Sequence, residues 1–159
     1  MAGSELQPPS TEDRHLLLFD GVCGLCSRLV QFVLVRDRRC VFHFASLQSP
    51  RGAAAVAHFG HDARELTTVY VLANYGSRDA TLLTKARAVL FLAGALGWPW
   101  KAARLLGVLP TAWLDLLYDF VARNRYLVFG RLDRCLIPTP QYRSRFVDSE
   151  GIPDGPARR

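Results

Sequence analysis

What this sequence lacks narrows it first. No uninterrupted apolar run approaches the roughly 20 residues a membrane-spanning helix needs, because the most apolar stretch, 86–110, is broken by Gly94, Gly97, Pro99, Lys101 and Arg104. The first fifteen residues have neither the basic start nor the apolar centre of a secretory signal, and carry Glu5, Pro8, Pro9, Glu12 and Asp13 instead. A cytoplasmic protein is expected. Cysteine is scarce, with 4 in 159 residues, and in a compartment that keeps thiols reduced so few do not form a disulfide framework. Their chemistry points to redox exchange or metal binding. A polyanion-binding stripe is missing as well. The 20 basic residues outnumber the 14 acidic ones, for a formal charge of +6, but they are nearly all arginines spread along the chain, clustered only at Arg36, Arg38 and Arg39. They read as a solvated face, and no nucleic-acid partner is expected.

Half of the residues are apolar, enough for one continuous core. Leu16–Phe19 is a short apolar run stopped by Asp20-Gly21, as in a buried strand ending in a turn. From Cys23, Leu25, Leu29, Phe32 and Val33 recur at helical spacing up to the Arg36–Arg39 cluster, and Val41–Ala45 reads as a second strand. Strand, helix and strand within about thirty residues make a βαβ unit with parallel strands. A helix from Pro50 to about Phe59 with Ser49 as N-cap follows, then strands over Thr67–Ala73 and Ala80–Leu83 joined by the Asn74-Tyr75-Gly76-Ser77 turn. Thr84 is placed to cap a helix through Ala95, and further helices are expected around Trp100–Leu106 and from Pro110 to Phe129, the last closed by Gly130.

The order β-α-β-α-β-β-α is that of an α/β thioredoxin or glutaredoxin-like domain. The expected organisation is an unstructured arm over 1–15, the α/β domain over 16–97, a helical extension packed on it over 98–147, and an unstructured tail over 148–159. In the long helix Leu116, Leu117, Phe120 and Val121 are expected to pack inward, making it a cover for the domain.

The run D-G-V-C-G-L-C puts Cys23 where the strand ends and the helix begins, facing unpaired N–H groups and the positive helix end. That favours the thiolate, which is the attacking species. Cys26, almost one turn on, falls beside it and deeper, so Cys23 is the expected nucleophile and Cys26 the resolving thiol. Gly24 and Leu25 between them carry neither charge nor proline, which suits a reductase in a reducing compartment. Asp20 reads in two ways: a carboxylate that takes the Cys26 proton, or an Asp-Gly turn residue bonding its own backbone. No cofactor is called for. The expected partners are a disulfide-containing protein or a small thiol substrate, and an electron donor.

The run F-D-G-V-C-G-L-C resembles the signature of the DCC family of predicted thiol–disulfide oxidoreductases, named for the Asp, Cys and Cys that fall at Asp20, Cys23 and Cys26. F-A-S-L-Q-S-P from Phe44, Y-D-F-V-A-R-N-R-Y from Tyr118 and F-G-R-L-D-R-C from Phe129 resemble family segments in the same order, over roughly residues 16 to 146. The resemblance implies a thioredoxin-like domain with a helical C-terminal extension, and draws Tyr118, Arg123, Asn124, Arg125 and Tyr126 toward the site. Cys135 is either a third redox thiol folding back to Cys23 or a buried small hydrophobe. Two departures stand out. Ala86 and Arg87 replace the family's Ser and acidic residue, and 65–68 lacks the proline that thioredoxins carry before the third strand.

Rival chemistries fare less well. Cys23, Cys26, Cys40 and His43 have tolerable zinc spacing, but a helix between them would put Cys40 about 20 Å from Cys26 at 1.5 Å per residue. Haem attachment needs a histidine where Ser27 stands, and an aspartate-nucleophile phosphatase needs a second acid where Val22 stands. From another class, Trp98, Trp100, Lys101, Arg104 and Leu105 suit weak contact with a membrane surface or partner; alternatively the tryptophans plug the junction between domain and extension.

Overall fold

The computed structural model describes residues 14–65, 68–133 and 139–148. The arm up to 13, the tail from 149 and Cys135 lie outside the described residues. β1 (His15–Phe19) is the central seed: it pairs in parallel with β2 (Phe42–Ser46) and antiparallel with β3 (Tyr70–Ala73), which pairs antiparallel with β4 (Thr81–Thr84). The sheet order β2-β1-β3-β4 is that of a thioredoxin-like α/β fold. The parallel β1–β2 pair requires a crossover, supplied by α1 (Gly24–Arg36).

Alternation along β1 sends its side chains to two layers. Leu17 and Phe19 join Phe44, Val71 and the inner face of α1, while Leu16 and Leu18 join Ala45, Leu72 and Val56 of α2 (Pro50–His58). α2 starts as expected: the Ser49 hydroxyl accepts the Gly52 N–H and Pro50 occupies the first turn. α3 (Lys85–Ala95) and a 3-10 segment, Trp100–Val108, precede the long α4 (Thr111–Phe129), which packs on α1 and α3. Among the described residues no helix is long and apolar enough to cross a membrane.

Several expectations are corrected. The buried stripe of α1 is Cys26, Val30, Val33 and Leu34; Leu25, Leu29 and Phe32 are only partly buried, turned toward the later helices. Thr84 is the N-cap of α3 but makes no side-chain capping bond. The adjoining Lys85 takes a left-handed φ of 50°, and its ammonium lies 3.0 Å from Asp119 of α4. Of Leu116, Leu117, Phe120 and Val121, Leu116 and Phe120 do not pack inward, being 68% and 66% exposed, while Leu117 and Val121 only line a cavity beside Tyr118, Ala122 and Arg125, the residues α4 turns toward the domain. Trp98 is also exposed, whereas Trp100 meets Phe32 edge-on at 4.9 Å and Arg36 lies over its ring.

Candidate functional site

The end of β1 builds the site. Asp20 closes the strand with a turn: its Oδ1 accepts the Val22 N–H at 3.1 Å, and its carbonyl accepts the Cys23 N–H at 3.2 Å. Cys23 then takes extended backbone angles as N-cap of α1, and its Sγ accepts the Cys26 N–H at 3.4 Å, the task a serine or aspartate oxygen usually performs. The two sulfurs are thereby set on one helical turn.

The Asp20 carboxylate is buried, with both oxygens engaged. Oδ1 also accepts from Gln48 Nε2 at 2.7 Å, and Oδ2 accepts from Arg125 at 3.2 Å and from the Tyr126 hydroxyl. Gln48 is itself held by the Gly21 N–H and the Ser46 hydroxyl, both donating to its Oε1. Arg125 is 3% exposed; it donates to Cys26 Sγ at 3.8 Å and to the Tyr126 hydroxyl at 2.9 Å. A buried guanidinium needs a buried anion beside it, and Asp20 supplies one. Asp20 therefore makes the turn bond and also fixes a cation against the resolving sulfur.

These surroundings split the two thiols. Cys23 is pushed down to about 6, first by the hydrogen bond from the Cys26 thiol, against the opposing effect of burial, then by the Cys26 N–H, the Arg125 charge and the Leu25 N–H. Cys26 is pushed far up by the same bond, by burial and by the Cys23 charge. The expected direction for Cys23 holds, but the neighbouring thiol contributes more than the helix amides. Burial also pushes Tyr118 up to about 12.

Cys26 was expected beside Cys23 and deeper than it. Instead Cys23 is 0% exposed and Cys26 2%. The chain leaving α4 covers them: Gly130, with φ 75°, turns it back, Arg131 bridges Cys23 in antiparallel fashion, the Gly24 N–H donates to Gly130 O at 3.3 Å and the Leu132 N–H to Val22 O at 2.7 Å. Gly24 permits this approach, since a Cβ there would run into the Phe129 carbonyl. Residues 129–132 thus form a strap over the first turn of α1. Cys26 also lines a cavity of about 340 Å³ between α1, α3 and α4 whose wall is almost entirely carbon.

Of the residues singled out in the sequence, the structure brings Asp20, Cys23, Gly24, Cys26 and Tyr126 together, with Leu25 facing the cavity. It does not bring Arg123 or Asn124 there: Arg123 is exposed, and Asn124 donates to its own helix at Phe120 O. Cys40 is exposed beyond the far end of α1, and His43 lies on β2 with its pKa lowered by burial. Gln48 was signalled only by the run from Phe44. Arg125 was signalled only by the run from Tyr118.

The model of the DCC1-like thiol-disulfide oxidoreductase family matches residues 17–131. The chain is 33% identical to the uncharacterized protein YuxK of Bacillus subtilis (strain 168), over 84% of its own length and 93% of that protein. It is 35% identical to the DCC family protein At1g52590, chloroplastic, of Arabidopsis thaliana, over 78% and 70% of the two chains. No solved structure matches significantly.

Proposed function

The chain belongs to the DCC1-like thiol-disulfide oxidoreductase family, and on that premise we propose that it reduces disulfides through Cys23 and Cys26, with Cys23 as nucleophile. The observation that carries this reading is the geometry of two sulfurs on one helical turn, Cys23 Sγ accepting the Cys26 N–H at 3.4 Å and the buried Arg125 donating to Cys26 Sγ at 3.8 Å, which pushes Cys23 down to about 6 and Cys26 upward. At neutral pH one sulfur is then the thiolate and the other keeps its proton.

In the proposed cycle the Cys23 thiolate attacks one sulfur of the substrate, forming a mixed disulfide and releasing the other as thiolate. Cys26 then gives up its proton to that leaving thiolate and attacks Cys23 Sγ, so the second substrate thiolate departs and the Cys23–Cys26 disulfide closes. Arg125 steadies negative charge on Cys26 as the proton leaves. Asp20, whose oxygens already accept four donors, acts as a positioning residue that holds Arg125 rather than as the base. A protein substrate reaches Cys23 once the 129–132 strap lifts. An external donor restores the dithiol, in keeping with a reducing cytoplasm.

The test uses a chromogenic aryl disulfide. Cys23→Ser abolishes its reduction, while Cys26→Ser releases one equivalent of aryl thiolate and stops as a mixed disulfide. Full turnover by Cys23→Ser would end the assignment of the nucleophile. The exposed Trp98, Leu105, Leu116 and Phe120 favour a second reading, a thioredoxin-like binding module on a membrane or partner surface. Lipid co-sedimentation in dilute salt separates the two: binding lost in Trp98→Ala, together with no disulfide reduction by the native chain, would favour the module.

A further inference from the structure

The cavity beside Cys26 is not used by the cycle above, and its chemistry is unusual for a surface that meets protein. It is lined by Leu25, Leu29, Val89, Leu117 and Val121, among others, and its polar members are Cys26, Tyr118 and Arg125. Arg125 has only donors. The Tyr118 oxygen already accepts the Val69 N–H at 2.8 Å, which leaves its hydroxyl hydrogen to donate. The wall therefore offers hydrogen-bond donors and a sulfur in an otherwise carbon lining, and almost nothing that accepts.

A peptide is a poor occupant, since each backbone N–H brought into such a space would lose its water partner for no replacement. An apolar body ending in an accepting oxygen fits. Because the cavity reaches Cys26 through a wall that includes none of the residues 129–132, such a molecule meets the Cys26 sulfur with the strap closed.

We propose that this cavity binds an apolar quinone and that the reduced Cys23/Cys26 pair gives it two electrons. The inference rests on the dithiol reading and names a second substrate class for that pair. In the reaction the Cys23 thiolate, the Cys26 thiol, one quinone and one proton become the Cys23–Cys26 disulfide and one hydroquinone. The Cys26 S–H bond breaks, the S–S bond forms, the electron pair passes to the quinone, and two O–H bonds form on its oxygens. A quinone carbonyl accepts from the Tyr118 hydroxyl, whose oxygen already accepts the Val69 N–H. The hydroquinone product is a double donor facing a wall poor in acceptors, so it is held less well than the quinone and leaves.

Duroquinone is the probe, because its fully substituted ring blocks ordinary conjugate addition by a thiol. Its binding is measured by ligand-observed NMR on the Cys23→Ser/Cys26→Ser protein, where no electron transfer can occur. Its reduction is measured anaerobically with the dithiol form of the native chain. Binding to the double serine protein is expected, weakened at least about tenfold by the cavity-filling Ala122→Phe and, should that variant not fold by circular dichroism, by Ala86→Phe. Stoichiometric hydroquinone formation by the native dithiol is expected alongside. Absence of binding, or binding indifferent to both fillings, overturns the proposal even if the native chain reduces an aryl disulfide. Binding without hydroquinone formation by a chain that does reduce the aryl disulfide overturns the electron-transfer step. If the native dithiol reduces neither acceptor while duroquinone still binds, it is the dithiol reading that has failed, and the proposal falls with it.

Discussion

Removing the Cys26 thiol should make Cys23 markedly less acidic, and the size of the change follows from the geometry. With Cys23 lowered to about 6, about nine-tenths of it is thiolate at pH 7. The largest cause is the hydrogen bond from the Cys26 thiol, and a bond to a charged group contributes about 1.5–3 kcal/mol. At 1.36 kcal/mol per pKa unit, Cys26→Ala raises Cys23 by about 1–2 units, to somewhere around 7–8. The thiolate share at pH 7 then drops to between about one half and one tenth. Cys26→Ser keeps an O–H donor at the same place and should titrate closer to the native chain. Thiolate ultraviolet absorbance against pH, in a Cys40→Ala/Cys135→Ala background, reads this without requiring a reagent to pass the strap. Superimposable curves for the alanine and serine variants, or a native Cys23 near the ordinary value of about 8.5, would refute the reasoning.

The remaining predictions concern the strap, the buried ion pair and pH. Gly24→Ala forces a Cβ against the Phe129 carbonyl and should cost about 1–3 kcal/mol while speeding iodoacetamide capture of Cys23; denaturant melts and alkylation rates check both, and no change in either would remove the strap from the account. Arg125→Met strands the Asp20 carboxylate in the interior and should cost about 3–5 kcal/mol in denaturant unfolding, with the Asp20→Asn/Arg125→Met pair costing less than the sum of its parts. Because the folded Cys23 pKa is depressed, its contribution to the stability of the reduced protein is full above the unfolded-chain value of about 8.5 and is lost as pH falls through about 6. Thermal melts of the reduced chain over that window should lose this slope in Cys23→Ser.

The fold was legible where short-range pattern suffices. The apolar run ending at Asp20, the helix after Cys23 and the second strand form one continuous βαβ signal, and Ser49-Pro50 and Gly130 mark helix ends by local backbone chemistry. The site was legible only in its contiguous part. Asp20, Cys23 and Cys26 lie within one turn of chain and the first turn of α1. Arg125, by contrast, comes from a helix whose pattern gives an arginine no reason to be inside; the carboxylate of Asp20, 105 residues away, helps make its burial tolerable. The same distance explains the error over Cys23. Nothing near it in sequence says that 130–132 returns to pair with it, so a helix N-terminus that looked open is covered. The outer face of α4 misled for a related reason: an apolar stripe tells that a face is sticky, not which side of the helix the domain occupies.

The central claim is that Cys23 and Cys26 interconvert as one dithiol–disulfide couple, and a redox titration tests it most directly. Equilibration across a series of thiol–disulfide buffers, followed by acid quenching and mass spectrometry of alkylated protein, should show both thiols disappearing together along a single two-electron curve. Two cysteines that stay alkylatable throughout, or that are lost independently of one another, would contradict it.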